Sequence, residues 1–365
     1  MTIQHDPSKA RPHDPLRVAQ VMLSPGFGGA ERLFVDLCHA LPAYDVEVLA
    51  VCHPDFAGHH LAANLPGVEV AAVAARGVWD LRARSRLRAA LARFRPALVH
   101  THLARGAHLG AAAAATLGIP VAANLHNYVK LKHYRGVERF VPGSEDQRRY
   151  LHARGVPDAR IEVIPHFSRL PARAAPPAFA PGPPSFAALG RFVHKKGFDV
   201  LIEALHRLRR GGLAATLRLG GAGPEEARLR SQVRHLGLGE AVAFAGWVED
   251  VPAFLSRGEI FVLPSRDEPF GIVVLEAMAC GAAIVSTRTQ GPQEILDESV
   301  AWWAQPGDAE SLARAMAAAA DPHARRERAA RALARYRERY TAAAVVPRFI
   351  DLYRRLAAGA TAIRP

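Results

Sequence analysis

The sequence is poor in cysteine: its 365 residues include three, Cys38, Cys52 and Cys280. The number is odd and no two of them form a Cys-x-x-Cys pair, which argues against a disulfide framework and against a zinc site of that kind. We expect three small, buried side chains in a reducing compartment.

Long hydrophobic runs are also lacking. No run approaches the roughly 20 apolar residues that a membrane-spanning helix needs. The polar, proline-punctuated segment 1–15 has no apolar stretch of the kind found in secretory signals. We interpret 1–15 as a disordered tail and expect a cytoplasmic protein, with peripheral contact at the inner face of the membrane as a further hypothesis.

Acidic residues are outnumbered: 47 Lys and Arg face 34 Asp and Glu, which gives a net charge of +13. The excess is shared between the two halves of the chain, so no basic tail accounts for it. A diffuse positive field suits an anionic substrate, an acidic membrane surface or nucleic acid. No helix-turn-helix, zinc-finger or RNA-recognition signature is present, so nucleic acid is not an expected partner.

Short apolar runs alternate with helical patterns through most of the chain, which predicts parallel sheets covered on both faces. The predicted strand runs are 16–23, 45–52, 97–102, 120–125, 139–142, 161–165, 185–190, 215–220, 241–245, 259–264 and 283–287. Between the two sets, 168–184 holds six prolines and no periodicity, and we predict a linker there.

The predicted class is therefore α/β, with two Rossmann-like parallel-sheet domains, 16–167 and 185–340, facing a central cleft. The helical segment 341–365 is expected to cross back toward the first domain.

A glycine-rich turn follows the first predicted strand. Gly28 and Gly29 precede a helix whose N-terminal N–H groups favour an anion. The spacing is not Gly-x-Gly-x-x-Gly, so the dinucleotide fingerprint is absent. The alternative is a tight turn needed only for packing.

Two cations follow the strand 185–190. Arg191 offers a planar fork and Lys196 a point charge, and both suit a diphosphate. The alternative is a solvated basic loop.

Two carboxylates flank the start of a later helix. Glu268 lies in the loop after strand 259–264, and Glu276 follows eight residues later within an apolar stretch. Sugar or ribose hydroxyls would be suitable partners for buried carboxylates, and the N–H groups of Gly271 and Ile272 open the helix. The alternative is a helix-start carboxylate and a structural salt bridge.

Taken in order, these segments resemble the retaining glycosyltransferases of family 4, also called glycosyl transferases group 1, which have the GT-B fold. The motifs are Gly-Gly-Ala-Glu-Arg (28–32), Val-His-Thr-His (99–102), Pro-Gly-Ser-Glu (142–145), Val-Ile-Pro (163–165), Leu-Gly-Arg-Phe (189–192), Lys-Gly-Phe-Asp (196–199), Gly-Ala-Gly-Pro-Glu (221–225), Phe-Ala-Gly-Trp-Val (244–248) and Glu-Pro-Phe-Gly-Ile-Val-Val-Leu-Glu-Ala-Met-Ala (268–279). One departure is His166, where relatives usually have Asn.

The resemblance implies roles for these residues. Gly28 and Gly29 would approach the donor phosphates and the acceptor, and Arg191 and Lys196 would bind the diphosphate. Glu268 would hold the donor sugar, Glu276 the ribose, and His126 would lie near the reacting sugar, unless it is a strand-end histidine satisfied by backbone. The remaining donor-site residues are Gly246, Phe270, Gly271 and Ile272.

The resemblance also implies that the transfer retains the anomeric configuration of the sugar and needs no metal. The leaving phosphate oxygen would take the proton of the acceptor hydroxyl. We find no Asp-x-Asp motif, and His100 and His102 have no acidic partner nearby in sequence. We expect no metal or cofactor, only a nucleotide-diphosphate sugar as donor. Alternative hypotheses are an epimerase or phosphorylase on the same fold, or a basic nucleic-acid-binding protein.

The acceptor is expected to be a saccharide or glycolipid of cell-envelope polysaccharide, lipopolysaccharide or glycolipid synthesis. Tyr128, Lys130, Lys132 and Arg135 suit a phosphate-bearing sugar or a lipid headgroup, or form a solvated loop. The segment 79–94 predicts an amphipathic helix, with Trp79 on the apolar face. That helix rests either on an acidic membrane or, by packing, on the first sheet.

Overall fold

The computed structural model describes residues 15–26, 28–56, 58, 65–178, 182–255 and 260–362. The predicted tail, except Pro15, lies outside the described residues. The chain divides into two compact units. Unit 1 comprises Met1–Asn124, Val129–Val141 and Val346–Pro365, and unit 2 comprises Leu125–Tyr128 and Pro142–Val345. Residues 142–167, which the sequence groups with the first half, thus belong to unit 2.

A six-stranded parallel sheet forms the centre of unit 1. Its strands are β1 (Leu16–Met22), β2 (Val46–Cys52), β3 (Val68–Ala72), β4 (Leu98–His102), β5 (Val121–Leu125) and β6 (Arg139–Pro142), in the order β3-β2-β1-β4-β5-β6. Its helices are α1 (Gly29–Ala40), α2 (Leu81–Phe94) and α3 (Leu103–Ala115). The runs 18–22 and 48–52 are buried on both faces of the sheet, as near-continuous apolar strands require.

Unit 2 is built on a second six-stranded parallel sheet. Its strands are β7 (Ser185–Leu189), β8 (Thr216–Gly220), β9 (Val242–Gly246), β10 (Ile260–Leu263), β11 (Ala283–Thr287) and β12 (Ala301–Ala304), in the order β12-β11-β10-β7-β8-β9. The helices are α4 (Glu145–His152), α5 (Phe198–Arg210), α6 (Glu226–His235), α7 (Val251–Leu255), α8 (Ile272–Ala279), α9 (Gln290–Ile295), α10 (Ala309–Ala318) and α11 (Pro322–Arg339). The two sheets confirm the predicted α/β class and its Rossmann-like parallel sheets.

Each sheet has a point at which the strand order reverses. In unit 1 it lies between β1 and β4, and in unit 2 between β7 and β10. Open α/β sheets bind ligands outside the carboxyl ends of the strands at such points. The loops after β7 and β10 are therefore the part of unit 2 in which a ligand site is expected.

The proline-rich segment 168–184 packs along unit 2 where it is described. Ser168 donates its N–H to the carbonyl of Tyr340 (3.1 Å), and the Tyr336 hydroxyl donates to the carbonyls of Ser168 (2.9 Å) and Leu170 (2.7 Å). Arg173 donates its N–H to the carbonyl of Ala279 at the end of α8 (3.0 Å). These bonds compensate for the lack of sheet or helix hydrogen bonds in this segment.

A last helix, α12 (Ala342–Ala362), contributes its residues from Val346 onward to unit 1. A buried chain of hydrogen bonds ties it to the sheet. The Gln20 side-chain amide donates to the Tyr353 hydroxyl (3.0 Å), which pairs with Nδ1 of His100 (2.6 Å). The Gln20 carbonyl oxygen pairs with Nε2 of His102 (3.0 Å). Burial lowers the pKa of His100 to about 3, so its ring is neutral at pH 7. Its Nδ1 then accepts a hydrogen bond from the Tyr353 hydroxyl.

The helix predicted over 79–94 begins two residues later than expected. Its face of Ala83, Leu87, Leu91 and Phe94 is buried, which favours packing on the protein over packing on a membrane. Trp79 does not share that face: it precedes the helix and is 74% exposed. Asp80 is the reason, because its carboxylate caps the N–H of Ala83 (2.9 Å) and starts the helix after Trp79. None of the helices described is long and apolar enough to cross a membrane.

Candidate active site

Lys196 and Glu268 meet at the point where the strand order of unit 2 reverses. Lys196 closes the 3-10 turn His194–Lys196 after β7, and Glu268 lies in the loop between β10 and α8. The Lys196 ammonium donates to Oε2 of Glu268. The Lys196 side chain is 21% exposed and the Glu268 side chain is 9% exposed. The pair is therefore mostly buried but still accessible to a ligand.

Gly197 allows the two loops to approach so closely. Its φ is 67°, and a Cβ at this position would lie 2.1 Å from the carbonyl oxygen of Pro264. Only glycine tolerates both the left-handed backbone and that contact. The carbonyl of Lys195 accepts the N–H of Arg266 at 2.8 Å, so the backbone on both sides of Lys196 is attached to the loop that carries Glu268.

Arg266 joins the same two loops through its side chain. It donates two hydrogen bonds to Asp199, at 2.7 and 2.9 Å, and a third to the carbonyl of His194 at 3.0 Å. Burial raises the pKa of Asp199, but the hydrogen bonds and charge of Arg266 and the charge of Arg228 together hold it below its usual value. The Asp199–Arg266 pair thus remains ionised at neutral pH and fixes the position of Lys196.

The surroundings of Glu268 supply polar partners for a buried carboxylate. The Ser265 hydroxyl donates to Oε2 of Glu268 (3.3 Å), and the carbonyl of Glu268 accepts the N–H of Gly291 (2.9 Å). The Ser265 carbonyl in turn accepts the Thr287 hydroxyl (2.6 Å). Because a buried charge is costly unless paired, Lys196 and Ser265 offset the burial of the Glu268 carboxylate.

The predicted donor helix is α8. Gly271 precedes it in the left-handed region (φ 99°, ψ 60°), and Ile272 is its first residue. Glu276 lies on the same helix among apolar residues and is 7% exposed. The helix therefore carries the second carboxylate eight residues after the first, as the sequence predicts.

Two other residues of the predicted donor site lie at the carboxyl ends of β7 and β9. Arg191 follows β7, and its side chain is exposed. Gly246 ends β9 with a φ of 70°, and its carbonyl accepts the N–H of Gly221 (2.6 Å). The structure describes no contact that joins Arg191 to Lys196. That both side chains bind one diphosphate therefore stays a prediction.

His126 lies at the end of a row of rings in unit 2. Its ring centroid is 5.2 Å from that of His166, which is 4.5 Å from that of Phe270. Burial lowers the pKa of His166 to about 4, so this ring is neutral at pH 7. The row connects His126 to Phe270, two residues after Glu268.

Sequence reasoning did not identify His166 as a site residue. The sequence feature that could have identified it is its position directly after Val-Ile-Pro, where relatives usually have Asn and this chain has His. Gly143 accommodates the larger ring, because a Cβ there would lie 2.9 Å from Nε2 of His166. Sequence reasoning also missed the Asp199–Arg266 pair, since its members are 67 residues apart.

The predicted acceptor residues divide between the two units. Tyr128, in unit 2, donates its hydroxyl to Asp146 (2.5 Å), and burial and the Asp146 carboxylate raise its pKa. Lys130, Lys132 and Arg135, in unit 1, are exposed. The structure thus leaves these three cations accessible to an anionic ligand.

The glycine-rich turn lies in unit 1 at the carboxyl end of β1. Gly28 precedes α1 with an extended backbone, and no side chain caps the helix. Gly28 and Gly29 are both exposed. The first-turn N–H groups of α1 are therefore accessible to an anion.

No three His, Cys, Asp or Glu side chains are grouped as metal ligands would be within the described ranges. His100 and His102 do lie side by side, with ring centroids 4.9 Å apart. One nitrogen of each ring is already engaged, with Tyr353 and with Gln20.

Two family profiles match the chain in series. The profile "Glycosyltransferase Family 4" matches residues 27–170, and "Glycosyl transferases group 1" matches residues 173–335. Together they cover both sheets except for β1.

Individual relatives agree with these profiles. The chain is 32% identical over 343 residues to the lipopolysaccharide core biosynthesis glycosyltransferase LpsD of Rhizobium meliloti, covering 90% of this chain and 95% of that protein. Among solved structures, Anabaena Alr3699/HepE in complex with UDP and glucose superposes with a TM-score of 0.78 at 20% identity, covering 92% of this chain and 99% of that one. Sucrose-phosphate synthase from Thermosynechococcus elongatus gives 0.79 at 21% identity, with coverages of 94% and 100%. These similarities confirm the GT-B fold.

Proposed function

We propose that this chain, which belongs to the glycosyl transferases group 1 family, transfers a sugar from a nucleotide-diphosphate sugar to a hydroxyl group of a saccharide or glycolipid. It is a glycosyltransferase, and LpsD, which it resembles over nearly its whole length, is named for lipopolysaccharide core biosynthesis. We place this chain in lipopolysaccharide or related cell-envelope polysaccharide synthesis.

The observation that carries the proposal is the Lys196–Glu268 pair at the carboxyl ends of β7 and β10. A nucleotide-diphosphate sugar has one anionic part and one part rich in hydroxyls. An ammonium and a carboxylate side by side match these two parts. The HepE structure, which contains UDP and glucose, supports a donor of this class.

On donor binding, Lys196 would exchange part of its contact with Glu268 for the diphosphate, and exposed Arg191 would add a second cation. Breaking the glycosyl–phosphate bond leaves negative charge on the diphosphate and builds positive charge on the sugar. Fixed cations stabilise the first, and the Glu268 carboxylate, which accepts hydrogen bonds from sugar hydroxyls, stabilises the second. Glu276 would hold the ribose, further from the reacting carbon.

We propose that the reaction retains anomeric configuration and needs no metal. Lys196 and Arg191 supply the positive charge that a metal would otherwise provide. The leaving phosphate oxygen would take the acceptor proton, and His126, Phe270 and the N–H groups of Gly271 and Ile272 would shape the donor pocket. Transfer is expected to persist in excess chelator. Loss of activity that magnesium or manganese restores would contradict this part.

We further propose that the exposed cations Lys130, Lys132 and Arg135 lie on the acceptor side. The net charge of +13 supports an anionic acceptor and peripheral association with acidic membranes at the cytoplasmic face.

A thermal-shift screen tests the donor class. UDP-, GDP- and ADP-sugars are added separately, and a ligand that binds the native state raises the melting temperature. At least one nucleotide sugar is expected to do so, and the shift is expected to disappear in Lys196→Ala but not in Lys195→Ala, which changes the neighbouring side chain. No shift with any nucleotide sugar would contradict the proposal.

A further inference from the structure

The loop between β3 and α2 and the first residue of α2 each expose a large apolar side chain. Trp79 is 74% exposed and Leu81, the first residue of α2, is 73% exposed. The Trp79 ring touches His108 edge-on, with centroids 4.4 Å apart, so one side of the indole is supported by the protein. Two such residues two positions apart form an apolar tip, whereas single exposed hydrophobics are ordinary.

Three arginines surround this tip. Arg76, Arg82 and Arg86 line the same open concavity of about 980 Å³ as Trp79 and Leu81. All three are exposed, and Arg82 and Arg86 share one face of α2 because they are four positions apart.

One acidic residue, Asp80, also lines the concavity and offsets part of this positive charge. Asp80 accepts the N–H groups of Ala83 (2.9 Å) and Arg76 (3.1 Å), one on each carboxylate oxygen. Hydrogen bonds from these backbone groups lower its pKa. The concavity therefore carries three guanidinium groups against one carboxylate, next to apolar surface.

From this arrangement we infer that the β3–α2 loop docks onto a bilayer surface that contains anionic lipid, with Trp79 and Leu81 entering the headgroup region. Indole rings favour the membrane interface, and basic residues near an acidic leaflet add attraction. A pocket for a soluble phosphorylated sugar would instead be expected to enclose hydroxyl-binding groups, whereas this one is open and carries apolar side chains at its rim.

The membrane contact does not use the apolar face of α2, as the pattern of 79–94 suggested, because that face is buried in unit 1. The contact depends instead on Trp79, in the loop before the helix, and on Leu81 at its start. This surface is the location of the membrane association proposed with the function, and it is independent of which sugar is transferred.

Vesicle flotation of the full chain tests the inference. We compare phosphatidylcholine vesicles with and without phosphatidylglycerol, in the absence of donor and acceptor. Binding is expected only with phosphatidylglycerol. The double variant Trp79→Ser, Leu81→Ser should reduce it by roughly tenfold, since each side chain loses its apolar contact. The control Trp247→Ser removes another exposed tryptophan, 53% exposed and in unit 2, and should bind like the wild type.

A charge series uses matched arginines. Arg76→Gln, Arg82→Gln and Arg86→Gln together should weaken binding by about tenfold to a hundredfold, because each basic residue near the surface adds attraction. The control replaces three exposed arginines of unit 2, Arg210, Arg234 and Arg326, with Gln. It removes the same net charge, so equal weakening by both triple variants would show a diffuse field and overturn the proposed location.

Tryptophan fluorescence reports insertion directly. Emission should shift to shorter wavelength with anionic vesicles in the wild type and in Trp247→Phe, but not in Trp79→Phe. Equal binding to both vesicle types, or an unchanged shift in Trp79→Phe, would contradict the inference. Saturable binding of inorganic phosphate without vesicle binding would assign the arginines to a soluble anion instead. Transfer to a water-soluble acceptor, assayed separately, keeps failure here distinct from failure of the proposed function.

Discussion

At the scale of single residues, the two carboxylates of the candidate site are expected to do different work. Glu276, proposed to hold the ribose, would make similar interactions in the ground and transition states, so Glu276→Gln should mainly raise the donor KM. Glu268 is proposed to contact the sugar that becomes cationic. Glu268→Gln should lower kcat by roughly tenfold to a thousandfold. Steady-state kinetics with varied donor concentration separates the two effects.

Glu226→Gln is the control for this pair of variants. It removes a partly exposed carboxylate that pairs with Arg230 on α6 and should leave kcat and KM unchanged. Wild-type kcat in Glu268→Gln, or unfolding of both site variants, would mean that the carboxylates have a structural role.

His166 is expected to make unit 2 sensitive to acid. Its pKa is about 4 in the fold, against a usual value of 6.5, because burial opposes its charged form. Below pH 6.5 the unfolded chain binds a proton that the folded chain does not, so stability is full above pH 6.5 and falls toward pH 4. The loss from this residue is about 2 kcal/mol at pH 5.

Denaturant unfolding at pH 7 and at pH 5 measures this effect. His166→Asn should lose less stability between the two pH values than the wild type, by about 2 kcal/mol. The control His323→Asn replaces a histidine whose side chain is 85% exposed and should behave like the wild type. An unchanged pH dependence in His166→Asn would contradict the burial argument.

At the scale of secondary structure, the interior strands and the edge strands β6 and β9 could be predicted, whereas the edge strands β3 and β12 could not. Ten of the eleven predicted runs match strands, and the run 161–165 belongs to neither sheet. The two strands missed are β3 and β12, both at sheet edges. The Val-Glu-Val-Ala-Ala sequence of β3 is half exposed, and β12 has four residues. A short strand with one free edge needs no long apolar run, so it leaves a weak sequence pattern.

The Asp199–Arg266 pair is expected to hold two elements together, the first turn of α5 and the loop after β10. Arg266→Lys cannot reproduce the two-point contact with Asp199. We expect a loss of about 1 to 3 kcal/mol in unfolding free energy and roughly a tenfold rise in donor KM, because Lys196 loses its fixed position. The measurements are denaturant unfolding and donor kinetics.

Arg230→Lys is the matched control, since Arg230 makes a similar contact with Glu226 on the surface, at 2.8 and 3.0 Å. It should change stability by less than about 1 kcal/mol. Equal effects of the two substitutions would show that the Asp199–Arg266 pair has no special positioning role.

The buried hydroxyl of Tyr353 is expected to hold α12 on unit 1. Tyr353→Phe leaves the Gln20 amide and the His100 nitrogen without this partner, which should cost roughly 2 kcal/mol or more. Hydrogen exchange of the α12 amides should increase at the same time. Tyr44→Phe, at a half-buried tyrosine of unit 1, is the control. Unchanged stability and exchange in Tyr353→Phe would mean that apolar contacts alone hold the helix.

At the scale of the whole molecule, the prediction of the donor site depended mainly on the order of the motifs along the chain. Lys196 and Glu268 are 72 residues apart, and nothing in the spacing of either loop shows that they touch. The resemblance to the family put both in one donor site, and the strand-order reversal between β7 and β10 supplies the physical reason. The exposed Trp79 could not be predicted, because helical periodicity alone places it with the buried residues of α2.

Sugar transfer is measured as release of nucleoside diphosphate from the donor identified by thermal shift, with and without truncated lipopolysaccharide as acceptor. We expect release that depends on the acceptor. Lys196→Ala should reduce the release by roughly tenfold to a thousandfold, while Lys195→Ala should not. Conversion of the donor to an epimer without release, release that requires inorganic phosphate instead of the acceptor, or full activity in Lys196→Ala would contradict the proposed function.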